Sequence, residues 1–332
     1  MRRFSNDNWT RFARLASHVP QRSRPDRFKH RGGEATLRRH SVTFSHHPEQ
    51  RPASCYTRPI VEQTSRQQAE QPGLYYETHG TQGPYVLLAH GFLSSRAQWL
   101  PNLPALTNFC RPVIVELFGH GRSPTPDDPT SYTPQHYVDE FEGIRAALGC
   151  ERWFVCGQSL GAALTLRYAF DHPDRVLAHV FTNSNSALAE RDWGDLVRPA
   201  MEAQARGLEA QGRAALAQHP FNPARARHLP PAVKDARVAD YNLHDVQGIA
   251  YTGLYTIPDS SVRERVGEND AAALLVVGER EERFTSHRRF AEKNMPGLQV
   301  TGLDAGHAVN LQAADEFNGA LEEFFECYEE MS

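Results

Sequence analysis

Long apolar runs are missing from the 332 residues: nowhere do the roughly 20 consecutive apolar residues of a membrane-crossing helix occur. A large excess of one charge is missing too, since 36 Lys/Arg stand against 40 Asp/Glu for a formal net charge of -4, which gives no reason to invoke nucleic acid. Cysteine is scarce. The five present (Cys55, Cys110, Cys150, Cys156 and Cys327) are odd in number and lack the paired spacings of zinc sites or disulfide frameworks, so they read as thiols in a reducing compartment. No His-Glu-x-x-His occurs and no Gly-x-Gly-x-x-Gly follows a strand, so neither a metal nor a cofactor is expected.

The near-neutral average hides an asymmetry. Residues 1–70 hold 14 Lys/Arg against 6 Asp/Glu, which leaves 22 against 34 for the rest. This first segment is rich in Arg, Ser, Gln, Pro and His with almost no apolar periodicity, and is expected to be a disordered leader. Arg2, Arg3, Arg11 and Arg14 give it a faint organelle-targeting character, but Asp7 and Asp26 interrupt it and no apolar signal core follows. The expected location is therefore cytoplasmic, with the leader a dispensable extension.

From about Gly73, short β-rich runs alternate with amphipathic helical stretches, the pattern of a mostly parallel, doubly wound α/β sheet covered on both faces. The runs are Tyr85–Ala89, Val113–Glu116, Trp153–Cys156, His179–Thr182, Leu274–Val277 and Leu298–Thr301. One helix is delimited by Thr133 as cap, Pro134 in the first turn and Gly149 at the end, with Tyr137, Phe141, Ile144 and Leu148 on one face as core packing. The alternation breaks between Asn183 and Ala273, a gap too long for one crossover. A helix over Leu196–Gln218 and joints at Pro220, Pro223, Pro230 and Pro231 mark it as a helical insertion over residues 186–270, between core segments 71–185 and 271–332.

Chemistry concentrates at three places. The first is Gly157-Gln158-Ser159-Leu160-Gly161, between the strand ending at Cys156 and a helical run over Ala162–Phe170. Chance alone supplies Gly-x-Ser-x-Gly in roughly one chain in ten of this length, and a helix-capping serine would look the same. The flanking strand and helix raise its weight, because a serine on a sharp strand-to-helix turn stands exposed above the sheet at a helix N-terminus. The second is His90-Gly91-Phe92, directly after a strand. An oxyanion needs two fixed N–H donors, here those of Phe92 and Leu160, and His90 reads as a structural prop for the loop. The third is Ala305-Gly306-His307 after the last strand. Of 16 histidines, His307 alone combines a Gly-framed loop at a strand end with a closing helix over Asp315–Phe325, as a general base for Ser159 requires.

Together these residues resemble the α/β-hydrolase family, from about Leu74 to Phe325. Gly119-His120-Gly121-Arg122-Ser123 is similar to the family's loop after its fourth strand, and His172-Pro173-Asp174-Arg175-Val176 to its entry to the sixth. The resemblance implies the chain order Ser, acid, His, and a helical cap formed by the insertion. It also implies an acid three residues past the glycine ending the seventh strand. That glycine is Gly278 and the position holds Glu281, where the family usually has aspartate; Glu279 and Glu282 are neighbouring rivals, and Asp304 is a more distant one. Dehalogenases and epoxide hydrolases of the family carry an aspartate at the elbow, so Ser159 argues against both. The expected activity is hydrolysis of a small-molecule ester or related acyl bond through an acyl-enzyme. C–C bond hydrolysis or lyase chemistry on the same triad is the alternative, and a non-catalytic ligand receptor the third reading. The expected partner is a small-molecule substrate.

Overall fold

The computed structural model describes residues 73–226 and 229–329. The basic leader expected over residues 1–70 lies outside them. All six expected strand runs form strands, and they pair into one sheet: β2 (Tyr85–Ala89), β3 (Arg111–Val115), β4 (Trp153–Gly157), β5 (Val176–Thr182), β6 (Ala272–Gly278) and β7 (Leu298–Leu303). A seventh strand, β1 (Tyr76–Thr78), was not legible from its residues. Tyr-Glu-Thr has no apolar run, and it becomes a strand only by lying antiparallel on β3, with Tyr76 opposite Val115 and Thr78 opposite Val113. Every other pairing is parallel, in the order β1-β3-β2-β4-β5-β6-β7.

Parallel strands covered on both faces have no solvent side, which explains why β4 and β5 are buried from end to end, with the one imidazole among them, His179, bonded to Asn269. The strand period of two sends Leu87 and Ala89 of β2 into one apolar layer and Val86 and Leu88 into the other. Among the described residues, the helices longer than a single turn are α1 (Pro134–Ala147), α2 (Leu160–Asp171), α3 (Trp193–Gln211), α4 (Arg213–Gln218), α5 (Pro231–Tyr241), α6 (Val246–Tyr251), α7 (Thr285–Asn294) and α8 (Ala314–Glu329). Tyr137 and Phe141 of α1 and Leu164 of α2 fill the first layer. Phe317, Leu321 and Phe325 of α8 fill the second, and the Phe325 ring stacks on Phe154 with centroids 4.0 Å apart. Helix α1 begins as its residues indicate: the Thr133 hydroxyl accepts from the His136 N–H at 3.3 Å, and Pro134 occupies the first turn.

Every element between β5 and β6 is helical. The helix expected over Leu196–Gln218 is two helices, because Gly212 adopts φ 56° and ψ -137° and ends α3 before α4 begins. The apolar spacing continues across that glycine, so periodicity alone could not reveal the break. Helix α3 packs on α6, and α5 packs on the Arg96–Gln98 turn that follows β2. Beyond β2 the chain adds β3 on one side and then returns to place β4 on the other. This reversal falls between the carboxyl ends of β2 and β4, the position at which open α/β sheets bind ligands.

Candidate active site

Ser159 stands at the end of β4, at that reversal, with φ 54° and ψ -116°. A left-handed φ in a non-glycine residue is a strained conformation that surrounding structure must hold in place. The helix behind it is the reason for the sharp turn, and Gly161 makes it possible: a β-carbon there would collide with the Ala89 carbonyl. The Ser159 side chain makes no capping bond to α2, so it is not the helix-capping serine that the pentapeptide alone allows. It is partly exposed between buried Gln158 and buried Leu160.

The loop after β2 runs directly alongside. A β-carbon on Gly91 would lie 3.0 Å from that of Ser159. Two buried histidines shape this loop. His90 donates from Nδ1 to the Gly91 carbonyl at 2.7 Å and accepts at Nε2 from the Leu117 N–H at 3.1 Å. His120, in the Gly-His-Gly segment after β3, donates from Nδ1 to the Phe118 carbonyl at 2.9 Å and accepts at Nε2 from the Leu93 N–H at 3.1 Å. Burial holds both rings neutral, with ionisation pushed down to about 3. The Leu93 N–H is thereby occupied. Those of Phe92 and Leu160 have no acceptor among the described residues, which leaves two adjacent donors open beside Ser159.

His307 follows β7, and its Nδ1 lies 2.9 Å from Glu281 Oε2. A carboxylate can only accept, so Nδ1 carries the proton and neutral His307 presents Nε2 as a free acceptor. Burial opposes ionisation of Glu281, but the hydrogen bond from His307 and the charge that ring carries when protonated, with bonds from Asn183 and Asn185, hold its carboxyl below the usual range. The two rivals are elsewhere: Glu279 is exposed and faces Arg288 at 3.6 Å, and Glu282 is exposed at the start of the next turn. Asp304 forms a surface pair with Arg280. No hydrogen bond joins the Ser159 hydroxyl to His307. The link between them is indirect, from the Gln158 side-chain amide to the His307 carbonyl at 3.0 Å. Catalytic contacts of this kind commonly tighten only when a ligand is bound.

Sequence reasoning overlooked Asn183 and Asn185. Asn183 donates to Glu281 Oε2 at 2.8 Å and to the Gly278 carbonyl at 3.0 Å, and accepts from the Gly278 N–H at 2.9 Å. Asn185 donates to Glu281 Oε1 at 3.1 Å. The available signal was an Asn-Ser-Asn run at the end of β5, the strand beside the one that carries the acid.

A charged network joins the insertion to this site. Asp240 of α5, 3% exposed, accepts from the Ser95 hydroxyl at 3.0 Å and from Arg122 Nη2 at 2.8 Å. Glu116, wholly buried after β3, accepts from the backbone N–H of Arg122 at 2.6 Å and of Arg96 at 3.2 Å. Beside it, Leu208, Leu216, Tyr241 and Ile249 of the insertion pack on Leu93, with Phe92 against the same cluster. Among the described residues, no group of three or more His, Cys, Asp or Glu side chains is placed to hold a metal ion, and no helix is long and apolar enough to cross a membrane.

The family model for the alpha/beta hydrolase fold matches residues 84–314, and the chain belongs to that family. It is 34% identical over 209 residues to a probable proline iminopeptidase of Streptomyces coelicolor, covering 58% of this chain and 54% of that protein. It is 36% identical over 99 residues to epoxide hydrolase 3 of Siraitia grosvenorii, covering 30% of this chain and 31% of the other. The chain thus spans about half the length, or less, of these curated relatives. In fold it is similar to the enol-lactonase of Burkholderia xenovorans LB400, with a TM-score of 0.64 and 23% identity over 76% of this chain and 96% of that one.

Proposed function

We propose that the protein is a serine hydrolase that cleaves a small-molecule ester or related acyl bond through an acyl-enzyme. The observation that carries this reading is the oriented pair of Glu281 and His307 tied, through Gln158, to a strained serine with two open N–H donors beside it. In the proposed cycle His307 Nε2 takes the Ser159 proton as the hydroxyl attacks the carbonyl carbon. Glu281 holds the ring in the needed tautomer and stabilises the imidazolium that forms. The N–H groups of Phe92 and Leu160 receive the developing oxyanion. The leaving group departs with the proton, and a water activated by His307 releases the acid and regenerates Ser159.

Serine at the elbow separates this chain from family members that use an aspartate there, whatever the likeness to an epoxide hydrolase elsewhere in the sequence. The insertion over residues 186–270 is proposed to act as the cap, because its α5 and its apolar cluster lie on the loop that carries Phe92. Labelling with a fluorophosphonate probe, followed by a chain-length series of 4-nitrophenyl esters, tests the reading. Label on Ser159 with turnover of the short esters is expected. Label without ester turnover redirects the chemistry to C–C cleavage on the same residues, and no label at all ends the assignment.

A further inference from the structure

Among the described residues, two that are not glycine adopt a left-handed φ: Ser159 at 54° and Leu93 at 58°. Both belong to one site. Leu93 is two residues past Gly91, and a β-carbon on Gly91 would stand 3.0 Å from that of Ser159. A conformation of this kind persists only where its surroundings over-determine it, and it gathers where function needs a fixed backbone. The strain at Ser159 serves the elbow, whereas nothing in the acyl-transfer cycle itself calls for the strain at Leu93.

Leu93 is the third residue of a turn closed by the Ser94 N–H, which donates to the Gly91 carbonyl at 3.1 Å, and Phe92 is the second. A positive φ at the third position of such a turn ordinarily falls to glycine or asparagine. Here the Leu93 N–H donates to His120 Nε2 at 3.1 Å, and the Gly91 carbonyl takes a second bond from His90 Nδ1 at 2.7 Å. The His120 ring is itself fixed. It is wholly buried between the His90 and His244 rings, with centroids 5.2 and 5.1 Å away, and its Nδ1 donates to the Phe118 carbonyl at 2.9 Å. It also meets the Phe92 ring edge-on, centroids 5.9 Å apart. Without an acceptor at Nε2 the buried Leu93 N–H would be unpaired, and the leucine would relax toward a negative φ. That relaxation rotates the Phe92–Leu93 peptide and so changes the backbone of Phe92, whose own N–H is one of the two open donors beside Ser159.

We propose that His120 is a positioning residue for acyl transfer: its Nε2 holds Leu93 in the left-handed conformation and thereby keeps the Phe92 N–H aimed at the oxyanion that forms when Ser159 attacks. This rests on the serine-hydrolase reading above. An oxyanion donor acts where charge develops, so a small displacement weakens its hold on the transition state and leaves binding of the uncharged ester little changed. The loss therefore falls on kcat and not on KM.

The test measures kcat and KM of the full chain for 4-nitrophenyl butyrate, with kcat expressed per Ser159 titrated to completion by a fluorophosphonate probe, so that misfolded molecules do not count. His120→Phe keeps an aromatic ring and removes the acceptor. It should lower kcat by about 10- to 100-fold, short of the roughly 10²- to 10³-fold cost of deleting an oxyanion donor outright, with KM within about three-fold. His120→Gln, whose Oε1 can take the place of Nε2, should recover part of that loss. A second pair approaches the turn from Leu93. Leu93→Val, β-branched and poorly suited to a positive φ, should lower kcat by about 10-fold, and the unbranched Leu93→Met by less. His179→Phe, at an equally buried histidine bonded to Asn269 in β5, should lower stability and leave kcat per titrated site where it was. An unmoved kcat in both His120→Phe and Leu93→Val overturns the proposal, and so does an equal loss within each pair, which would trace the effect to packing alone. Should His120→Phe not fold, the Leu93 pair decides. Labelling of the wild-type chain separates the two levels: label with either of those results sinks the role of His120 alone, whereas no label sinks the underlying serine-hydrolase reading with it.

Discussion

Two regions of the molecule approach the same site on different terms. Ser159 and Phe92 leave the carboxyl ends of β4 and β2, strands almost wholly buried between two apolar layers. The helical segment between β5 and β6 meets that site instead through one apolar cluster and a set of buried charges, Asp240 with Arg122 and Ser95 foremost. Close-packed strands fix the positions of their ends tightly, whereas a helix docked through buried ion pairs is held by a few polar contacts that the sheet does not depend on. On the proposed reading, chemistry and selectivity are separable: the sheet fixes the reacting groups, and the insertion sets what reaches them.

The widest gap between the two regions should appear in kcat. Ser159→Ala is expected to lower kcat for activated esters by about 10⁴ to 10⁶ while the melting temperature stays the same. More than a tenth of the activity remaining would remove the serine from the mechanism. Next in size, Glu281→Gln should lower kcat by roughly 10³ to 10⁴, through loss of tautomer control and of imidazolium stabilisation. Glu279→Gln and Glu282→Gln, at exposed positions, should stay within a few-fold. Were either neighbour the more damaging change, the pairing at 2.9 Å between Glu281 and His307 would not be the working one.

The joint beneath the insertion should show in stability against pH. His90 and His120 are held neutral by burial, with ionisation near 3, while an unfolded imidazole takes up its proton near pH 6.5. Their contribution is complete above pH 6.5 and is lost as pH falls toward 3. By pH 5 the loss is about 2 kcal/mol for each ring, a figure that depends only on the folded values lying well below 5. Urea unfolding at pH 7 and pH 5 measures it when the wild type is compared with His90→Gln and His120→Gln, since His179, His219 and His244 are also held neutral by burial. A pH dependence unchanged in both variants would contradict neutral burial of these two histidines. Smallest in expected size is Asp240→Asn, which should cost about 2 kcal/mol of stability because Arg122 keeps Glu116 as a partner. A change below about 0.5 kcal/mol in the same unfolding assay would mean that the insertion is docked by its apolar cluster and not by the buried charges.

By itself the sequence determined the features that local chemistry encodes. The strand runs declared themselves because a parallel sheet buried on both faces needs continuous apolar stretches. Gly157 to Gly161 marked the elbow because a sharp strand-to-helix turn needs small residues around the serine, and the Gly-framed loop marked His307 after the last strand. The resemblance to the α/β-hydrolase family pointed to Glu281 by its offset past Gly278, with Glu279 and Glu282 left as rivals. Only the tertiary structure decided the rest. Tyr76–Thr78 is a strand solely because β3 offers it a ladder. The break at Gly212 depends on a backbone conformation that apolar spacing cannot express. Asn183 and Asn185 reach Glu281 across 98 and 96 residues, and Asp240 reaches Ser95 across 145. Neither asparagine differs in its own neighbourhood from an ordinary polar loop residue, since a hydrogen bond between distant segments leaves no periodicity or spacing in either one. Its partner is set by where the sheet order and the helix packing bring the two chains together.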